Sequence, residues 1–104
     1  MLLILSTAPD QTTAERLADG LVRARLAACV NILPPMRSVY RWQGEVQNEP
    51  EHQLLIKTRD ECWVAISAWL RQHHPYELPE IIGVATALGD PDYLNWIHEN
   101  TQAD

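Results

Sequence analysis

Glycine totals 4 and cysteine 2 in this chain of 104 residues. With so few glycines there is no Gly-rich loop to cradle a phosphate, and no nucleophile-elbow pattern occurs. The two cysteines, Cys29 and Cys62, are far apart and fit no zinc spacing, so both are expected as reduced thiols. Basic residues are also scarce: 8 Lys and Arg against 14 Asp and Glu give a net charge of −6. No basic stripe is left to neutralise phosphates, which argues against nucleic-acid binding. No apolar run reaches the length of a membrane span. Met1-Leu-Leu-Ile-Leu5 has no basic flank and is too short for a signal core, so a cytoplasmic protein is expected. No repeat, low-complexity segment or linker divides the chain, which reads as one domain over 1–104.

What is present alternates between strand and helix periods. Leu2-Leu-Ile-Leu-Ser-Thr7 is nearly all apolar and reads as a buried strand ended by Ala8-Pro9. Asp10 is placed to cap a helix whose Ala14, Leu17, Ala18, Leu21 and Val22 share one stripe. Leu26 opens a second strand. It must bend at Pro34-Pro35, because neither proline donates to a ladder, and it resumes through Val39 to Trp42. Gln43-Gly44 supplies a hairpin tip, and a third strand runs from about Gln47 to Thr58, with Pro50 pointing to an edge or irregular pairing. Asp60 is expected to cap a second helix, with Trp63, Ile66 and Leu70 at helical spacing, that stops at His73-His74-Pro75. A loop follows, then a fourth strand from Glu80 to Leu88, and Asp90-Pro91 starts a last helix carrying Tyr93, Leu94 and Ile97. The order β-α-β-β-α-β plus a helix predicts an α+β, ferredoxin-like split βαβ fold, with helices on one face of an antiparallel sheet.

The hairpin is too long for its cover. A first helix of about 15 residues spans roughly 23 Å at 1.5 Å per residue. Leu26 to Trp42, if extended, reaches roughly 50 Å at about 3.3 Å per residue. The overhang carries Val39, Tyr40, Trp42 and Val46, a sticky edge that a partner subunit would cover.

Several side chains have the right chemistry for a site. His73 and His74 can offer two imidazole nitrogens to copper or another divalent ion, and Cys29 adds a soft donor if the fold brings it close. At a helix end, adjacent histidines also simply complement the dipole, and a thiol in Ala-Ala-Cys-Val is a common packing residue. Tyr40, Trp42, Lys57, Tyr76 and Glu80 form an alternative set, the lining of a small-ligand pocket at a subunit boundary. Nothing in the spacing pairs a nucleophile with a base, so the chain does not read as an enzyme.

The chain resembles the CutA divalent-cation-tolerance family. The likeness is carried by Ser6-Thr-Ala-Pro9, Leu26-Ala-Ala-Cys-Val-Asn-Ile32, Tyr40-Arg-Trp-Gln-Gly44, Glu51 with Leu54-Leu-Ile-Lys-Thr58, His74-Pro-Tyr76 with Pro79-Glu80, and Tyr93-Leu-Asn-Trp96, in order over essentially the whole chain. The resemblance implies a cytoplasmic homotrimer similar in architecture to the PII signalling proteins, binding copper or other divalent ions in metal homeostasis. It implies His73 and His74 as metal ligands, with Cys29 the thiol that matches a family cysteine. The sequence departs from the pattern at Ser6, where the family has the first-strand cysteine linked to copper binding, and a hydroxyl is a poor soft-metal ligand. The alternative to metal binding is a small-ligand sensor or trimeric scaffold.

Overall fold

The computed structural model describes residues 1–102. Its sheet is antiparallel. β1 (Leu2–Ala8) lies between β4 (Glu45–Thr58) and β5 (Ile82–Ala85), and β2 (Cys29–Ile32) flanks β4 on its other side. β3 (Met36–Trp42) pairs with the far half of β4, from Met36 opposite Glu51 to Trp42 opposite Glu45. Among the described residues three α-helices accompany the sheet: α1 (Gln11–Arg23), α2 (Trp63–His73) and α3 (Pro91–Glu99). None of them is long and apolar enough to cross a membrane.

The two-residue period of the strands sorts the sheet into two faces. Ile4, Leu54 and Ile56 point at α1 and α2, where they meet Ala14, Leu17, Leu21, Ile66 and Leu70, all fully buried. Burying each large aliphatic side chain contributes about 1.5–3 kcal/mol, so this one layer holds the domain together. Gly20 explains itself here. A Cβ on it would sit 2.6 Å from Trp69 Cζ2, so its absence lets the indole of α2 lie directly on α1. The opposite face carries Leu3, Leu5, Leu55, Ile82 and Val84, paired in register as Leu5 with Leu55 and Ile82, and Leu3 with Val84. It is covered by neither α1 nor α2.

β4 is 14 residues long, and the longest dimension of the molecule is 44 Å. The half of β4 before His52 pairs only with β3, so the hairpin projects as a two-stranded arm. Its tip turns at Gln43 and Gly44, with φ of 50° and 81°, the paired positive angles of a tight hairpin turn. Pro50 sits in this arm opposite Arg37, off the central sheet, which is where a residue without an N–H is tolerated.

Four expectations need correcting. The second strand is two strands, because Pro34-Pro35 break the ladder after Leu33, and it begins at Cys29 rather than Leu26. The third strand begins at Glu45, next to the turn. Asp60 is not a cap: Asp60–Cys62 forms a 3₁₀ turn closed by Cys62 N–H to Arg59 O, and no side chain caps α2. The fourth strand is only Ile82–Ala85, because Ala85 already lies opposite Leu2 and its partner strand ends there. The caps at Asp10 and Asp90 are as expected, accepting from Thr13 N–H at 2.7 Å and Tyr93 N–H at 3.1 Å.

α3 is held by a guanidinium. Arg59 Nε donates to Thr101 Oγ1 at 2.8 Å, and its Nη2 reaches the carbonyls of His98 and Thr101. The His98 carbonyl is one of the orphan acceptors of the helix C-terminus, and Thr101, just beyond the helix, is buried. Arg59→Ala is expected to cost about 2–4 kcal/mol, given about 1.5–3 kcal/mol per charged hydrogen bond and incomplete additivity. Amide exchange should accelerate first over Pro91–Glu99. Uniform acceleration along the chain would contradict a local clamp.

Candidate ligand cleft and the histidine pair

At the root of the hairpin arm the chain encloses a cleft of about 790 Å³. Its wall is drawn from β1 (Thr7), β3 (Met36 to Trp42), β4 (Glu51 and Gln53) and the loop after α2 (Pro75 to Glu80). Glu51 and Gln53 point into it for the same reason that Leu54 and Ile56 point away, since successive strand residues face opposite sides. Within one chain the cleft gathers Tyr40, Trp42, Tyr76 and Glu80 together with Glu51 and Gln53.

Hydrogen bonds fix its floor. The Tyr76 hydroxyl donates to Glu51 Oε2 at 2.7 Å, and Glu51 is only 8% exposed. Gln53 Nε2 donates to Ser6 O at 2.6 Å and to Glu80 Oε2 at 3.1 Å. Burial, reinforced by the hydrogen bond to Glu51 and the charge of that carboxylate, pushes the Tyr76 phenol far above the ordinary tyrosine value. The sign follows from linkage. A raised acid pKa adds stability that is complete below the unfolded value, near 10, and fades as pH rises above it. The difference in 295 nm absorbance between wild type and Tyr76→Phe should show no phenolate step until the protein unfolds. A Tyr76 step near pH 10 in the folded protein would contradict the buried bond to Glu51.

The two histidines go separate ways. His74 is 7% exposed; its Nε2–H donates to Thr7 O at 2.7 Å, and its Nδ1 accepts from Tyr76 N–H at 3.1 Å. A backbone carbonyl can only accept and an amide N–H can only donate, so the tautomer is set and neither nitrogen has a lone pair left for a metal. His73 is exposed, its ring against Trp69 with centroids 4.2 Å apart. Its ring nitrogens have no hydrogen-bond partner among the described residues. The pair therefore does not present two nitrogens to one ion.

Cys29 and Lys57 lie elsewhere. They are opposite one another in register, next to Leu3, whereas His74 bonds Thr7, four residues further along β1 and so roughly 13 Å away at about 3.3 Å per residue. The Lys57 ammonium sits 5.8 Å over the Tyr93 ring, about 20 Å along β4 from Glu51 by the same spacing. Within one chain Lys57 does not line this cleft, and Cys29 does not join the histidines. Ser6 is fully buried with its Oγ unpartnered, facing the core beside Ile4 and Ala8. The donor set His73, His74 and Cys29 does not fit one ion within one chain. Among the described residues, no group of three or more His, Cys, Asp and Glu is arranged to hold a metal.

Comparison with known proteins gives one answer throughout. The family model described as CutA1 divalent ion tolerance protein matches residues 2–100. The divalent-cation tolerance protein CutA of Pectobacterium atrosepticum is 45% identical over 96 residues, covering 92% of this chain and 87% of its own length. The structure of the divalent cation tolerance protein Cut A1 from Thermus thermophilus superposes with a TM-score of 0.94 at 43% identity, over 98% of this chain and 100% of that one. A protein from Archaeoglobus fulgidus, described as the periplasmic divalent cation tolerance protein CutA, superposes at 0.93 with 34% identity, over 98% and 100% of the two chains. This chain belongs to the CutA1 divalent ion tolerance family.

Proposed function

We propose that this protein acts in divalent-cation tolerance as a cytoplasmic, non-enzymatic homotrimer that binds copper or another divalent metal ion. Family membership supports the role, and the bare hairpin arm and sheet face support the assembly. The observation that shapes the binding mode is the split histidine pair. His73 keeps its ring nitrogens available, while His74 has spent both on the fold. A single imidazole per chain is a weak site, with the remaining positions left to water or to other copies. Calorimetric titration of the tag-free protein with copper and zinc chloride tests this. Binding should weaken in His73→Ala. Unchanged binding in that variant would remove His73 from the site.

One observation favours a second reading, a small-ligand sensor. The cleft is of the size that takes a small organic molecule, and it combines aromatic walls with a few fixed polar groups. In this reading the ligand occupies the cleft at the root of the arm, and metal binding at His73 is separate.

A further inference from the structure

We propose that the cleft binds an organic cation, its guanidinium or ammonium group held by Glu51 and Glu80 and its stem against Tyr40, Trp42 and Tyr76. This rests on the reading of the cleft as a ligand site and names the class of ligand.

The first ground is uncompensated charge. Glu51 is more than nine-tenths buried and lines the cleft, yet only one of its oxygens is engaged, by the Tyr76 hydroxyl. Its Oε1 has no hydrogen-bond partner among the described residues. Glu80 has one oxygen engaged, by Gln53. Of the basic side chains nearby, Arg37 is held by Asn48, and Arg41, which also lines the cleft, donates to the Gly44 carbonyl at the hairpin tip and makes no ion pair with Glu51 or Glu80. Lys57, the only lysine in the chain, lies over Tyr93. Among the described residues the only ion pair joins Arg23 to Asp19, far from the cleft. The free Oε1 of Glu51 stays open to the cleft, so a cation that enters gains a charged hydrogen bond to a carboxylate already fixed in place by Tyr76.

The second ground is the balance of donors and acceptors. Tyr76 O–H and Gln53 N–H are already spent on the two carboxylates. What the floor still offers is acceptor oxygen, so the complementary ligand brings N–H donors. An anion would instead meet Glu51, Glu77 and Glu80 together. The third ground is the wall. Tyr40 and Trp42 are 43% and 37% exposed, on the side of the arm that lines the cleft, and aromatic faces attract an organic cation. A bare dication gains little from such a wall, and the carboxylates are not clustered tightly enough to chelate one.

The test uses tag-free, full-length protein in amine-free buffer, with agmatine as probe because it carries both a guanidinium and an ammonium. Succinate, 1,4-butanediol and magnesium chloride are the comparison ligands. Agmatine should bind saturably by calorimetry and change tryptophan emission, while succinate and butanediol should not bind. Glu51→Gln and Glu80→Gln should each weaken agmatine about tenfold, the loss of one charged hydrogen bond. Trp42→Leu should weaken it by removing the aromatic wall, and sedimentation of the same variant separates that loss from a change of assembly, since the arm also supports the homotrimer. Binding of succinate but not agmatine would overturn the cation and leave the cleft a ligand site. Displacement of agmatine by equimolar magnesium would overturn it in favour of an inorganic ion. If no probe binds and Glu51→Gln alters only the assembly mass, the cleft is a contact between copies, and both readings fail.

Discussion

His74→Ala is expected to lower the unfolding free energy by about 3 kcal/mol, while His73→Ala costs less than about 1 kcal/mol. The two residues are adjacent, but the fold uses them in unrelated ways. Removing the His74 ring strands the Thr7 carbonyl and the Tyr76 N–H, both of which it now satisfies, in a place where its own exposure is 7%. Each stranded buried group costs about 1–3 kcal/mol. Tyr76 then loses its anchor, and with it the hydroxyl that positions Glu51. His73 forfeits only a ring contact with Trp69 on an exposed surface. At fixed protein concentration, Tm should fall by more than about 10 °C in His74→Ala and by a few degrees at most in His73→Ala, since about 1 kcal/mol moves a domain of this size by about 4–8 °C. Equal shifts in the two variants would refute the division of labour. The result also bears on metal binding. A variant lacking both histidines would lose stability along with any metal, so only the single His73 substitution isolates a ligand.

The element order was legible because periodicity and punctuation agreed along the chain. Leu2 to Thr7, the stripe Ala14, Leu17, Leu21, and the Asp90-Pro91 start each carry their meaning locally. The family resemblance was also legible, because its motifs are short fixed strings. The site was legible only by half. Tyr40 and Trp42 share a face by the strand period, and Tyr76 and Glu80 flank a loop, so their meeting in one cleft could be expected. Gln53 was missed and Glu51 stood only as a possible partner for Lys57 at a cleft rim, although the alternation Glu51, Gln53, Leu55, Lys57 against Leu54, Ile56, Thr58 marks them as facing away from the helices. Within one chain Lys57 stands apart from the cleft for a related reason. It shares that face with Glu51, but the face is some 20 Å long at about 3.3 Å per residue, and pattern gives side without distance. The histidine pair failed differently. Adjacency in sequence suggests chelation, whereas the turn into Pro75 sends one ring to solvent and the other to Thr7, a contact 67 residues away.

Lysine at both Ile82 and Val84 is expected to convert the proposed homotrimer into monomers. These residues lie on β5, on the sheet face that α1 and α2 leave bare, and are 49% and 41% exposed in the single chain. Leu3, Leu5 and Leu55 continue the same face inward. Val39 and Val46, 65% and 62% exposed, add apolar surface on the other face of the arm. Surface this apolar is a liability in an isolated chain, and association is its simplest relief. Lysines brought to such an interface lose hydration and repel one another across copies, a cost of several kcal/mol per buried ion. Neither side chain contributes to the core between sheet and helices, so the monomer should keep its fold. Sedimentation equilibrium at micromolar concentration should show three times the chain mass for wild type and the chain mass for the double variant. Val64→Lys, at a 76% exposed position on α2, should leave the wild-type mass unchanged. A wild-type protein that sediments at the chain mass would end the homotrimer proposal. It would also require the arm and the bare sheet face to be held by something other than this chain.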